Sequence, residues 1–298
     1  MTRERSADDR IESLAQLRRL HRPGEAPPWH AMRLQPELNG GKLPPDVLLR
    51  LADAPEITAL TVSGVEQKTL ELLCGGVGAR LTAIHFWKCP RIVDLTPLEA
   101  MPQLTHVAFY WNQKTTRLWN LARTPVLRGL HFDDFTKLRD LSDLAGGEAL
   151  EELAFGNAIW SKFEIDTLAP LSGLSRLRTL AFNAKAIGDG RIQPLAALTG
   201  LASLDFPSGQ FETTQLAWLR AHLPASVASD VLQPFLRLRQ PLSRKGRQLD
   251  VLVSGKRKPF LSSQADDVRL RRHVAEFEAL VRRFEREPTL MPEDLADA

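Results

Sequence analysis

Cysteine is scarce in this chain, tyrosine nearly absent, and no apolar run is long. Two cysteines, Cys74 and Cys89, stand among 298 residues. They are too few for a disulfide framework, and nothing nearby supplies metal-ligand spacing. No uninterrupted apolar stretch approaches the ~20 residues that cross a bilayer. The opening MTRERSADDR lacks the apolar core of a signal peptide. The expectation is a soluble protein in the reducing cytoplasm, with no membrane partner. Also missing are G-x-S-x-G, H-E-x-x-H and P-loop patterns. GDG at Gly188 to Gly190 reads as a loop, not a phosphate cradle. Hence no catalytic residue, metal or cofactor is expected, and the chain reads as a non-enzyme. A hydrophobic fraction of 43%, a charged fraction of 25% and a net charge of +3 are ordinary for a globular protein.

What is present is repetition. LTAIHFWKC at Leu81 returns as LTHVAFYWN at Leu104, LRGLHFDDF at Leu127, LEELAFGNA at Leu150, LRTLAFNAK at Leu177 and LASLDFPSG at Leu201. The starts are 23, 23, 23, 27 and 24 residues apart, and each unit reads L-x-x-L-x-F with Ile84 and Val107 as variants. ITALTV at Ile57 is a weaker first copy. Second apolar halves follow, among them DLTPLEAMPQ at Asp94 and TLAPLSGLSR at Thr167. A period of 20–29 residues with this spacing marks stacked units, each a short strand plus a return segment.

These residues resemble a leucine-rich repeat protein, with halves similar to the short bacterial internalin-like and phosphatase-regulator-like repeats. The resemblance covers roughly Ile57 to Pro224. It implies an α/β solenoid with a curved parallel sheet on its concave side. Two departures stand out. The turn position holds its usual Cys or Asn only at Cys89 and Asn112, and the fifth unit carries extra residues around AIWSKFE. Three segments are expected: a helical N-terminal cap over 1–56, the solenoid over 57–224, and a basic hairpin–helix module with an acidic tail over 225–298.

Strand alternation separates core from surface. The Phe series from Phe86 to Phe206 points inward with the second Leu of each unit, and stacking buries a face that no unit buries alone. The third, fifth and seventh residues point outward from the concave side. They place His85, Trp87, His106, Tyr110, His131, Asp133 and Glu152 on one grid, with Trp111 and Asp134 one step further. Aromatic anchors ringed by polar groups are the composition of protein-binding hot spots. His85 and His131 sit two strands apart, about twice the ~4.8 Å strand spacing, too far to converge easily on one metal ion.

Solenoid ends need covers. SADDRIESLAQLRRL places Ile11, Leu14 and Leu17 on one helical face after Ser6, and Trp29 is expected to plug that cap. TTQLAWLRAHL is a closing helix carrying Leu216, Leu219 and Leu223. LDVLVSGKRKPF reads as a hairpin, followed by a helix capped by Ser263 and Asp266 with a Leu270, Val274, Phe277, Val281, Phe284 stripe. Arg244, Lys245, Arg247, Lys256, Arg257 and Lys258 form a second candidate surface, for phosphate or an acidic partner. The leading expectation is a partner protein held on the concave face. The resemblance allows a scaffold, an effector or a toxin-immunity role. Nucleic-acid binding through the basic module is the alternative.

Overall fold

The computed structural model describes residues 10–22, 24–34, 41–244 and 246–295. The chain runs α1 (Leu14–Arg19), β1 (Ala31–Leu34), α2 (Pro45–Leu49), β2 (Ala59–Ser63), α3 (Gln67–Leu72), β3 (Ala83–Trp87), β4 (His106–Tyr110), β5 (Gly129–Asp133) and β6 (Glu152–Gly156). It continues through β7 (Glu164–Ile165), β8 (Thr179–Asn183), β9 (Ala186–Ile187), β10 (Ser203–Asp205), α4 (Thr213–His222), β11 (Phe235–Arg244), β12 (Arg247–Val253), β13 (Phe260–Leu261) and α5 (Asp267–Arg286).

Strands β1 through β6, then β8 and β10, form one parallel sheet in sequence order. Equivalent repeat positions pair directly, as in Ile84 with Val107 and Phe86 with Phe109. Short 3-10 turns such as Thr96–Ala100 and Ala169–Gly173 carry the return halves. The leucine-rich repeat solenoid read from the spacing is therefore the fold. One further strand, β1, precedes ITALTV and pairs with β2. The extra residues of the fifth unit build a small side sheet in which β7 pairs with β9.

Inside, the phenylalanines stack. Phe86 lies on Phe109 at 4.7 Å, Phe132 on Phe155 at 5.3 Å, Phe155 on Phe182 at 5.6 Å and Phe182 on Phe206 at 5.0 Å. Between Phe109 and Phe132 the column is bridged by Phe135, at 5.5 and 5.4 Å from each. Phe135 occupies a turn position where Cys or Asn is usual, and the missing polar side chain is thus replaced by core. Where Asn is retained, Asn112 Oδ1 accepts from the N–H groups of Lys114 and Thr115, and Nδ2 donates to Ile92 O. Each fully buried Phe contributes about 1.5–3 kcal/mol of transfer free energy. Both thiols are buried, which pushes them up to about 12.

At the C-terminal end, α4 and α5 pack together, and Phe277, Val281 and Phe284 join the solenoid core. The expected β12–β13 turn is present, but β12 also pairs with the longer β11. Ser263 does not cap α5; its hydroxyl donates to Asp250, and Asp266 is the N-cap residue. The acidic tail is docked as far as Leu295: Pro292 is buried and Gln193 Nε2 donates to Glu293 at 2.6 Å. Trp29 does not plug the cap, being 47% exposed. Ser6 lies outside the described residues.

Candidate binding surface

Register fixes three rows across the concave face. The first contains Ala83, His106, Gly129, Glu152 and Thr179; the second His85, Ala108, His131, Ala154 and Ala181; the third Trp87, Tyr110, Asp133, Gly156 and Asn183. The sequence-based grid is thus correct in register. It is not uniformly open.

α1 lies across the sheet over β3, β4 and β5. Leu17 and Leu20 enter a trough floored by Ala31, Ala59, Ala83 and Ala108. Leu14 lies over Gly129, where an added Cβ would sit 3.1 Å from Leu14 Cγ and 2.4 Å from His106 Cδ2. Small residues on successive strands therefore make room for the helix. Expected as an end cap, this segment instead covers the N-terminal half of the concave face.

His85, His106 and His131, expected on an open surface, are consequently buried at 1%, 3% and 3% exposure. Burial drives the His106 pKa down to about 4, with Arg128 adding to the fall. Burial holds His85 well below its ordinary value, helped by His21, His131 and Arg18. Among the described residues, neither ring nitrogen of His85 has a hydrogen-bond partner, nor have His131 Nδ1, Thr61 Oγ1 or Trp87 Nε1. Each such orphan costs about 1–3 kcal/mol. His131 Nε2 meets Asp133 Oδ2 at 2.9 Å. Glu152 Oε2 accepts the Leu14 N–H at 3.2 Å, and burial raises its pKa. Among the described residues no group of three or more His, Cys, Asp or Glu is placed to hold a metal ion.

The third row forms a partly exposed rim. His21 stacks on Trp87 at 4.0 Å, and Trp87 stacks on Tyr110 at 4.0 Å. Burial and the carboxylates of Asp134 and Asp133 raise the Tyr110 pKa. Lys88, Trp111 and Asp134, one step beyond the strand ends, adopt positive φ of 52°, 67° and 57°. For a bulky residue such as Trp111 this left-handed conformation costs roughly 1–2 kcal/mol. In the amide orientation that satisfies its neighbours, Gln113 Oε1 accepts from Trp111 Nε1 at 2.8 Å and Trp160 Nε1 at 3.2 Å.

Asp134, expected at the surface, is fully buried, and its carboxylate accepts the N–H groups of Ala158, Ile159 and Trp160 at 3.0, 2.9 and 3.1 Å. It acts by holding the inserted loop that carries Ile159 and Trp160, which are 53% and 39% exposed. Sequence reasoning missed both residues as surface groups; the insertion itself was the available signal. Further along the sheet, Thr179, Asn183 and Asp205 remain exposed.

In the C-terminal module, Arg244, Lys256, Arg257 and Lys258 are exposed, and Lys245 lies outside the described residues. Arg247 is engaged with Asp266 at 2.9 Å. Between 234 and 286 the sequence holds 14 Lys and Arg against 6 Asp and Glu. Arg244 and Arg247 flank the β11–β12 turn, whereas Lys256, Arg257 and Lys258 follow the other end of β12.

No protein-family profile and no curated protein sequence matches the chain. Solved structures do. In the TLR13–ssRNA13 complex, the protein chain aligns over 67% of this chain and 30% of its own length, with TM-score 0.51 and 18% identity. A leucine-rich repeat protein of Leptospira interrogans aligns over 64% of this chain and 48% of its own, with TM-score 0.46 and 16% identity. Internalin C2 of Listeria monocytogenes aligns over 60% and 83%, with TM-score 0.37 and 22% identity. The fold is that of the leucine-rich repeat proteins.

Proposed function

We propose that the chain is a non-enzymatic binding protein of the cytoplasm that grips a partner protein along the concave rim and the open C-terminal half of the sheet. One observation carries this reading. Tyr110, Trp111 and Trp160 gather at the strand ends, with Trp111 in a left-handed conformation and Trp160 exposed on a loop anchored by a buried carboxylate. Partly exposed rings held in place at such cost are the composition of an interface core. Asp133 and Asp205 supply acidic neighbours, while Lys88 and Lys162 lie 5.9 and 5.7 Å from the Trp87 and Trp160 rings. A partner surface of mixed charge suits that field. The same face would serve a scaffold, an effector or a toxin-immunity protein.

Affinity capture from the native host with the unaltered chain and with Trp111→Ala/Trp160→Ala tests the reading. A protein captured by the first and lost by the second, at unchanged folding, supports it; equal capture by both removes the rim from the interface.

The basic module favours a second reading, binding of nucleic acid or an acidic protein. Its support is the charge excess between 234 and 286. Phosphate contacts release counterions, so affinity for labelled RNA or DNA should fall steeply as salt rises. Absence of binding at low salt removes this reading.

A further inference from the structure

The N-terminal half of the concave face is shaped as a seat for an amphipathic helix, and α1 occupies it. Leucines at Leu14, Leu17 and Leu20 recur every third residue. Their floor is a run of small residues on neighbouring strands, from Ala59 through Ala83 and Ala108, with Gly129 beneath Leu14. Both helix ends meet side chains of matching charge. Glu152 accepts the N–H of Leu14 at the first turn, and Arg33 Nε donates to the carbonyl of Leu20 at 2.7 Å. A helix leaves free donors at its start and free acceptors at its end, with partial charges to match. Seat and clamps thus recognise a short helix as such, along with its leucine stripe.

The resident helix is short. It has six residues, below the length at which an isolated helix is stable. Beneath it lie polar atoms that no described residue pairs, both nitrogens of His85 among them. Uncovering the face returns those atoms to water and offsets the loss of leucine contacts.

We infer that residues 10–22 are an exchangeable occupant of a helix-binding groove, and that the partner enters with an amphipathic helix carrying leucines at i, i+3 and i+6. This rests on the concave sheet being the partner-binding face, and extends the contact from the rim and open half onto the half that α1 covers. In the closed chain the groove is available only in the fraction of molecules whose own helix has left. An added helix therefore binds with its affinity reduced by that fraction.

The test uses the full chain and a fluorescent peptide of residues 10–22 as the probe. In Leu14→Asp/Leu17→Asp, whose own segment no longer fits the trough, the peptide should bind at least about tenfold tighter than in the unaltered chain. Adding Ala108→Leu, which fills the trough, should abolish that binding. A folded double variant that ignores the peptide overturns the inference, and so does one that loses cooperative unfolding, which would make the segment part of the core. Hydrogen exchange on the unaltered chain gives an independent reading: Leu17 and Leu20 amides should exchange at least about tenfold faster than those of β4. Equal protection also overturns it. Peptide binding without rim-dependent capture would remove the partner reading and leave the groove; capture without peptide binding would remove the groove alone.

Discussion

Substituting Gly129→Ala tests whether α1 and the sheet are fitted to each other. The added methyl would lie 2.4 Å from His106 Cδ2, and 3.1 and 3.2 Å from Leu14 Cγ and Cδ2. Carbon atoms in comfortable contact are about 3.5–4.0 Å apart, so the overlap with His106 exceeds ~1 Å. His106 has little room to yield: it is buried, with Nδ1 at 3.0 Å from Thr105 Oγ1. The methyl presses on Leu14 as well, so the helix above must also give. Overpacking of this kind costs about 1–3 kcal/mol. The penalty falls on α1, because Leu130 and Phe132 face the opposite side of the same strand. Local opening should therefore increase by roughly 5- to 150-fold at 1.4 kcal/mol per decade. Hydrogen exchange reads it directly at the amides of Leu17 and Leu20, which donate to Ser13 O and Leu17 O. Ala181→Ser, in the open half, should stay within about 0.5 kcal/mol of the unaltered chain. Unchanged exchange in Gly129→Ala at full global stability would refute the fitted-groove argument.

Other outcomes follow from the same geometry. Phe132→Ala should lower global stability by about 3–5 kcal/mol in denaturant titration, since that ring packs on Phe135, Phe155 and Phe163. Asp134→Ala leaves three N–H groups without their acceptor, and faster amide exchange at Ala158, Ile159 and Trp160 should report the loosened loop. Acid should release α1. Folded His106 keeps a pKa near 4 against an ordinary 6.5, so the unfolded state binds the extra proton between those values. Stability from this ring is complete above about pH 6.5 and declines as pH falls toward 4, by about 3 kcal/mol in all. His85 acts in the same direction, whereas the charges around these rings, Arg128 and Glu151 for His106 and Arg18 for His85, oppose one another only at His106. His106→Gln should flatten the acid limb of the unfolding midpoint against pH; an unchanged limb would contradict the assignment.

The repeat was legible because the core asks the same thing of every unit. Leu153 with Phe155 and Leu180 with Phe182 are buried in the same way, so their letters recur. Concave positions obey no such constraint, and their rows followed from register alone. What covers them did not. Leu14, Leu17 and Leu20 read correctly as one apolar face, yet nothing local says whether that face meets a solenoid end or the sheet. The small residues opposite were the overlooked signal: Ala83, Ala108 and Gly129 fall on successive strands at positions that elsewhere hold His106, His131 and Glu152. Asp134 was misplaced for a related reason, its partners being supplied by an insertion 24 to 26 residues later. In β11, Leu236 and Leu238 alternate with Arg237 and Arg239, a strand pattern obscured by Pro241 near its end.

The position of Leu14 decides whether α1 covers the concave sheet. Nuclear Overhauser contacts from the Leu14 methyl protons, in a methyl-labelled sample, should reach the Gly129 α-protons and the His106 ring. Methyl contacts confined to residues 10–22, with His106 titrating near its ordinary value, would contradict it.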